Sequence, residues 1–167
     1  MKTSVTLLLS SALAAQSLHA EAPVFRDNVL SINEAIVFNA QGPAYYGDVR
    51  MQANKDGTFS LVQAQRHNLA LIDTVDVLIN KSNPVQVEVN ITGIQSVACV
   101  ALLDPVVTRS GNAFTIVQAE TLMEPGSVCM SLLAVTPFSR DIPLEVEGLA
   151  PGVYTVSVNG KQTSFTL

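Results

Sequence analysis

Apolar and polar residues alternate along much of this chain with the two-residue period of half-buried strands. The alternation is most regular in two places. Val85, Val87, Val89 and Ile91 oppose Gln86, Glu88, Asn90 and Thr92, and Tyr154, Val156 and Val158 alternate with Thr155 and Ser157. Asn159-Gly160 follows the second run and supplies two residues that tolerate positive φ, as a type I′ hairpin turn requires. A two-residue loop there pairs Val158 with Lys161, Val156 with Thr163 and Tyr154 with Phe165. Tyr154, Val156, Val158, Phe165 and Leu167 then share one face, and Thr155, Ser157, Gln162, Ser164 and Thr166 take the other.

The rest of the chain follows the same pattern, punctuated by turn residues. Val24 to Ile32 reads as a short strand with a polar turn at Arg26-Asp27-Asn28, and Ala35 to Phe38 as a second apolar run. Residues 45–53 and 58–65 form a hairpin about Asn54-Lys55-Asp56-Gly57, with Phe59 and Leu61 on a common side. Residues 66–74 fit a helical turn or a strand start equally. Thr74 to Ile79 alternates again. Lys81-Ser82-Asn83-Pro84 is a short polar turn and the candidate boundary within the chain. Beyond it, Val97 to Leu103 is nearly all apolar, like a central strand covered on both faces. Further strands are expected over Ala113–Gln118, Val128–Val135 and Leu144–Glu147. The count from residue 85 onward is about seven strands, with turns spaced as in a sandwich. No helix N-terminal signature precedes an apolar run of helical period after the first twenty residues. The expected class is all-β: an immunoglobulin-like antiparallel β-sandwich over 81–167 with an additional N-terminal β-rich region over 21–80.

Residues 1–20 change the picture of where the protein works. Lys2 precedes an apolar run from Val5 to Ala15 that is too short to span a bilayer. Leu18-His19-Ala20 completes a secretory signal, with cleavage after Ala20, Ala14 or Ala15. No later stretch is long and apolar enough for a membrane helix, so a soluble periplasmic or extracellular protein is expected. The formal charge is −5 over 167 residues, and losing Lys2 with the leader makes it one unit more negative. That balance argues against nucleic acid and anionic membrane surfaces as partners. The exported part holds two cysteines, Cys99 and Cys129. In an oxidising compartment they read as a disulfide, the alternative being two separate buried thiols.

Leu149-Ala150-Pro151-Gly152-Val153-Tyr154 resembles the Leu-x-Pro-Gly-x-x-Tyr stretch of fibronectin type III and related sandwiches, one residue shorter. The resemblance implies a tyrosine corner, with the Tyr154 hydroxyl bonded to backbone a few residues upstream. A wider pattern resembles a β-sandwich module of uncharacterised exported bacterial proteins. It runs from Cys99 through Cys129, Pro137-Phe138, Pro143-Leu144 and Gly148-Leu149 to Gly152–Val156 and Val158-Asn159-Gly160. It covers about residues 85–167 and implies a fold without a tied activity.

Candidate chemistry is sparse. His67 is the one imidazole left after the leader, and in Gln65-Arg66-His67-Asn68 it reads as a solvated loop residue. No Gly-x-Ser-x-Gly elbow or glycine-rich phosphate loop is present. One histidine and two bridged cysteines make no zinc set, and Asp73 and Asp76 lack a calcium loop around them. Glu145 and Glu147 stand roughly 7 Å apart on one strand face. Leu144 and Val146 between them make that the solvent face of a strand, in preference to a glycosidase pair. No catalytic residue, metal or cofactor is expected. The reading is a non-enzymatic binding or interaction module for a protein or glycan. The alternative is a structural subunit that assembles by strand exchange, as pilins do. Gly42-Pro43-Ala44-Tyr45-Tyr46-Gly47 is the most aromatic short stretch. By parity Tyr45 shares a face with Val49 and Met51, which makes Tyr46 the candidate ligand-binding side chain.

Overall fold

The structure, a computed structural model, describes residues 22–39, 42–123, 126–129 and 136–167. The expected signal segment 1–20 and most of the expected strand Val128–Val135 lie outside the described residues. The described residues form eleven strands: β1 Val24–Arg26, β2 Val29–Asn39, β3 Gly42–Ala53, β4 Phe59–His67, β5 Leu71–Asn80, β6 Gln86–Gln95, β7 Val106–Ser110, β8 Ala113–Val117, β9 Thr136–Leu144, β10 Val153–Val158 and β11 Lys161–Thr166. They form three sheets, ordered β1-β2-β3-β4, β5-β6-β9 and β11-β10-β8-β7. The protein is all-β, as the alternation requires.

The second and third sheets make the sandwich. Val87, Val89 and Ile91 of β6 and Ile142 and Leu144 of β9 meet Phe114 and Ile116 of β8, Tyr154, Val156 and Val158 of β10, and Phe165 of β11. These are the alternate residues of each strand, so the period that built the strands also built the core. β10 and β11 pair in the expected register, Val158 with Lys161, Val156 with Thr163 and Tyr154 with Phe165. Asn159 and Gly160 have φ of 49° and 95°, as the tight turn demands. The Tyr154 hydroxyl donates to the Ala150 carbonyl at 2.7 Å, forming the tyrosine corner in its shorter spacing. Tyr154 and Phe165 stack at 5.5 Å between ring centroids.

Several expectations are revised. Val97–Leu103 is no central strand: the stretch is irregular except for one bridge, Leu102 to Glu120. The outer edge of β8 is taken by β7, which pairs with it from Val106↔Val117 to Ser110↔Ala113. The apolar run is left to cover the end of the sandwich, where Val100 is buried and Leu103 packs beside Val117 and Ala119. An apolar run without a period does not by itself distinguish strand from buried loop. β8 and β10 run parallel, Thr155↔Ala113 to Val158↔Ile116, so the sandwich is not wholly antiparallel. The chain crosses to the other sheet through β9 between them and returns in the same direction. β9 spans Thr136–Leu144 and pairs with β6 along its whole length. Its position at a sheet edge tolerates Pro137 and Pro143. The Lys81–Pro84 turn joins β5 to β6 within one sheet, and β5 supplies Ile72, Val75 and Val77 to the core. The sandwich therefore takes in Leu71–Asn80, which a boundary at residue 81 leaves with the N-terminal region.

Cys99 and Cys129 are joined, with Cα atoms 5.8 Å apart and a sequence separation of 30. On one side the bond holds the irregular stretch around Cys99, where a strand was expected. Serine at both positions is expected to remove about 3–4 kcal/mol of stability, the chain-entropy value for a loop of this length. Urea unfolding without reductant checks it, and a double-serine protein with the wild-type midpoint contradicts it.

Candidate functional site

The N-terminal sheet is amphipathic, and its register shows how. β2 and β3 pair Leu30 with Met51, Ile32 with Val49, Glu34 with Gly47 and Ile36 with Tyr45. β4 sets His67 beside Tyr45 and Leu61 beside Met51, with a slip around Arg50 and Gln63. Cross-strand partners share a face. Leu30, Ile32, Ile36, Tyr45, Val49, Met51 and Leu61 therefore line one face. Tyr46, flanked by Ala35 and Arg66, belongs to the other.

The inner half of the apolar face docks on the sandwich. Tyr45 is buried there with Val117 and Ala119, and Ile36, Leu69, Leu103 and Val106 pack around them. Burial pushes the Tyr45 phenol well above its ordinary range, and a hydrogen bond to Glu34 and that carboxylate's charge add to the shift. The phenol is thus a fixed proton donor, unsuited to serve as a base. His67 is not a solvated loop residue. It ends β4 half-buried, its ring edge-on to Tyr45 at 5.2 Å. Its Nδ1 lies 2.8 Å from the Glu120 carbonyl, and a carbonyl only accepts, so Nδ1 carries the proton. Gly47 makes room for it, since a Cβ there would sit 2.8 Å from His67 Nε2.

Behind this contact lies a buried polar layer with no local signal in the sequence. Gln118 and Glu120 are fully buried. Ser96 donates to the Glu120 carboxylate twice, through its amide at 2.7 Å and through its hydroxyl. Gln118 Nε2 donates to the Leu103 carbonyl at 2.7 Å, and Arg140 donates to that carbonyl and to Gln118 Oε1. Asn159 binds the backbone of Gln118 and Ala70. Among the described residues no buried side-chain nitrogen or oxygen lacks a partner. The layer is a satisfied structural joint, with its groups committed to holding the two parts together.

The outer half of the face is a different environment. Phe25 is 57% exposed, Phe59 45% and Leu61 63%. Phe25 on β1 and Phe59 on β4, strands at opposite edges of the sheet, meet edge-on at 6.2 Å between centroids. The two rings close over the intervening strands and leave an apolar rim of uncharged side chains. Tyr46 is half-buried on the opposite face. Phe59 and Leu61 could be seen in the sequence to share a side. Their exposure could not, because it depends on no layer packing over them. Glu145 and Glu147 are exposed while Leu144 and Val146 are buried, the ordinary two faces of one segment. Among the described residues no group of three or more His, Cys, Asp or Glu is placed to hold a metal. No helix among them is long and apolar enough to cross a membrane.

A family model described as the ORF11 beta-sandwich domain matches residues 89–167. That range runs from the middle of β6 to the C-terminus and leaves the whole N-terminal sheet outside it. The chain is 33% identical over 89 residues to an uncharacterized 10.2 kDa protein in the HgiCIIM 5′ region of Herpetosiphon aurantiacus. The alignment covers 53% of this chain and 90% of that protein. No solved structure matches the chain.

Proposed function

We propose that this chain, which belongs to the ORF11 beta-sandwich domain family, is an exported, non-enzymatic interaction module whose immunoglobulin-like sandwich carries a binding sheet. The observation that carries the reading is the apolar rim of Phe25, Phe59 and Leu61, exposed on a sheet whose other end is anchored by a fully partnered joint. A rigid scaffold holding an uncovered apolar surface suits recognition of another macromolecule. Export is supported by the leader-like residues 1–20 and by the Cys99–Cys129 bond. The tyrosine corner supports the immunoglobulin-like type.

The test is the double variant Phe59→Ser, Leu61→Ser in the mature chain, read by melting temperature and by capture from envelope extract. Both side chains are exposed, so the melt is expected to stay close to wild type while captured partners fall at least tenfold, on the order of 1.4 kcal/mol or more of lost contact. Tyr46→Ser is the companion variant on the opposite face. Loss of the same partners in that variant, with capture intact in the double variant, moves the contact to Tyr46 and overturns the assignment to the rim.

A further inference from the structure

The Cys99–Cys129 bond is unevenly covered. Cys129 is 6% exposed, while Cys99 lies at the surface in an irregular turn. Beside the bond opens a depression of about 320 Å³, lined by Leu122, Met123, Ser127, Val128 and the two cysteines. Leu122, Met123 and Val128 are all exposed. Among the described residues this lining carries no charge. The segment that bears Cys99 is tethered on both sides of it. Before it, Ser96 donates to the Glu120 carboxylate through its amide and its hydroxyl. After it, the Ala101 amide donates to the Thr121 hydroxyl at 2.9 Å, and the Ala101 carbonyl accepts from the Thr121 amide at 2.8 Å.

We propose that Cys99 Sγ is a site of thiol–disulfide exchange that takes the thiolate of a partner polypeptide whose cysteine is flanked by uncharged, apolar side chains. A thiolate attacks one sulfur of a disulfide and the other sulfur leaves, so access decides which one is attacked. Protein covers Cys129, which makes Cys99 the sulfur attacked. A bond forms between the partner's sulfur and Cys99 Sγ, and the bond between Cys99 and Cys129 breaks. Cys129 leaves with the electron pair and takes a proton from solvent. The partner's thiol is oxidised and Cys129 is reduced, so no other oxidant is needed. Burial disfavours charge on the leaving sulfur, which slows exchange with a thiol that does not bind. Apolar flanks seated on Leu122, Met123 and Val128 offset this by holding the attacking sulfur at the bond. An anionic small thiol finds no opposite charge in that lining. After exchange the bonds at Ser96 and Ala101 keep Cys99 in place, with its new partner at the surface. The site lies outside the N-terminal sheet and is independent of the rim at Phe25, Phe59 and Leu61.

The experiment uses the mature chain with the bond intact, under nitrogen. The probes are a neutral, end-blocked peptide with the core Leu-Cys-Leu, and reduced glutathione. Products are trapped at low conversion with N-ethylmaleimide and mapped by mass spectrometry. Each rate is divided by that thiol's rate on a small linear disulfide, which removes differences in intrinsic reactivity. The adduct is expected on Cys99 in roughly nine molecules of ten, with the maleimide on Cys129. After the correction the peptide is expected to react at least tenfold faster than glutathione, on the order of what a few buried apolar contacts supply. Val128→Ser, at a residue 80% exposed, is expected to keep the wild-type melt and to slow the peptide about threefold. Adducts on Cys129, or shared evenly between the cysteines, overturn the site. So does a folded chain that forms no adduct under conditions where the urea-unfolded chain does. Equal corrected rates for the two thiols, or a peptide rate that Val128→Ser does not change, overturn the assignment to a partner with apolar flanks.

Discussion

Gly93→Ala is expected to remove more than about 3 kcal/mol of stability, far above the ~1 kcal/mol typical of a point substitution. Gly93 lies in β6, the middle strand of its sheet, paired with Ile72 of β5 and Phe138 of β9. A Cβ at this position would stand 2.1 Å from the Leu71 carbonyl oxygen and 2.9 Å from Phe138 Cζ. Even a close C–H···O contact needs about 3.3 Å, so β5 backbone would have to retreat by more than ~1 Å. The register of β5 slips between Ile72 and Thr74, just beyond the carbonyl that overlies Gly93. Phe138 packs against the core on the other side, so relief there would disturb the sandwich interior. Gly57 is the control. Its φ is 84° but nothing lies within 4 Å of a Cβ, so Gly57→Ala is expected to cost only the backbone term, about 1 kcal/mol. Denaturant unfolding of both variants compares them. Equal losses at the two positions would mean that the approach of Leu71 to Gly93 is not a feature of the folded protein.

The second large effect is at Asn159. Asn159→Gly is expected to lower stability by about 2–3 kcal/mol although glycine suits the turn as well as asparagine does. The Asn159 side chain accepts from the Gln118 amide at 3.0 Å and donates to the Ala70 and Gln118 carbonyls at 2.8 and 2.9 Å. It therefore holds the tip of the terminal hairpin to the strip that joins the N-terminal sheet to the sandwich. Removing it takes a partner from the Gln118 amide and the Ala70 carbonyl at a part-buried joint, while the Gln118 carbonyl keeps the Ala70 amide. Asn159→Ala should lose a further ~1–2 kcal/mol, because alanine must also adopt the φ of 49°. The order wild type, glycine, alanine in urea midpoints is the expected result. A glycine variant as stable as wild type would show that the clamp contributes nothing net.

These two residues mark how far the sequence could be read. Asn159-Gly160 was legible as a turn, since its flanking alternation and its tolerance of positive φ are both local properties. Its role as a clamp was not, because Ala70 is 89 residues away and Gln118 is 41 away. Gly93 sits inside a regular strand and carries no turn signal. Its necessity comes from the carbonyl of a neighbouring strand.

What the chain by itself determined is the set of properties that nearest neighbours decide. These are the all-β class, the alternate core residues of β6 and β10, the register of the terminal hairpin, and the solvent face of Glu145 and Glu147. A two-residue period fixes which side chains point together, and a two-residue loop fixes which residues face each other. Tertiary structure decided everything that depends on what lies on the far side of a residue. The apolar run Val97–Leu103 became a covering loop because β7 holds the outer edge of β8. His67 became part of a joint because Gly47 leaves it space and Glu120 offers a carbonyl. Phe59 and Leu61 remained exposed because nothing among the described residues packs over them, while Tyr45 on the same face was buried by Val117 and Ala119. Burial is a property of pairs of surfaces, so one strand's pattern states which face seeks cover and the assembled fold states whether that face receives it.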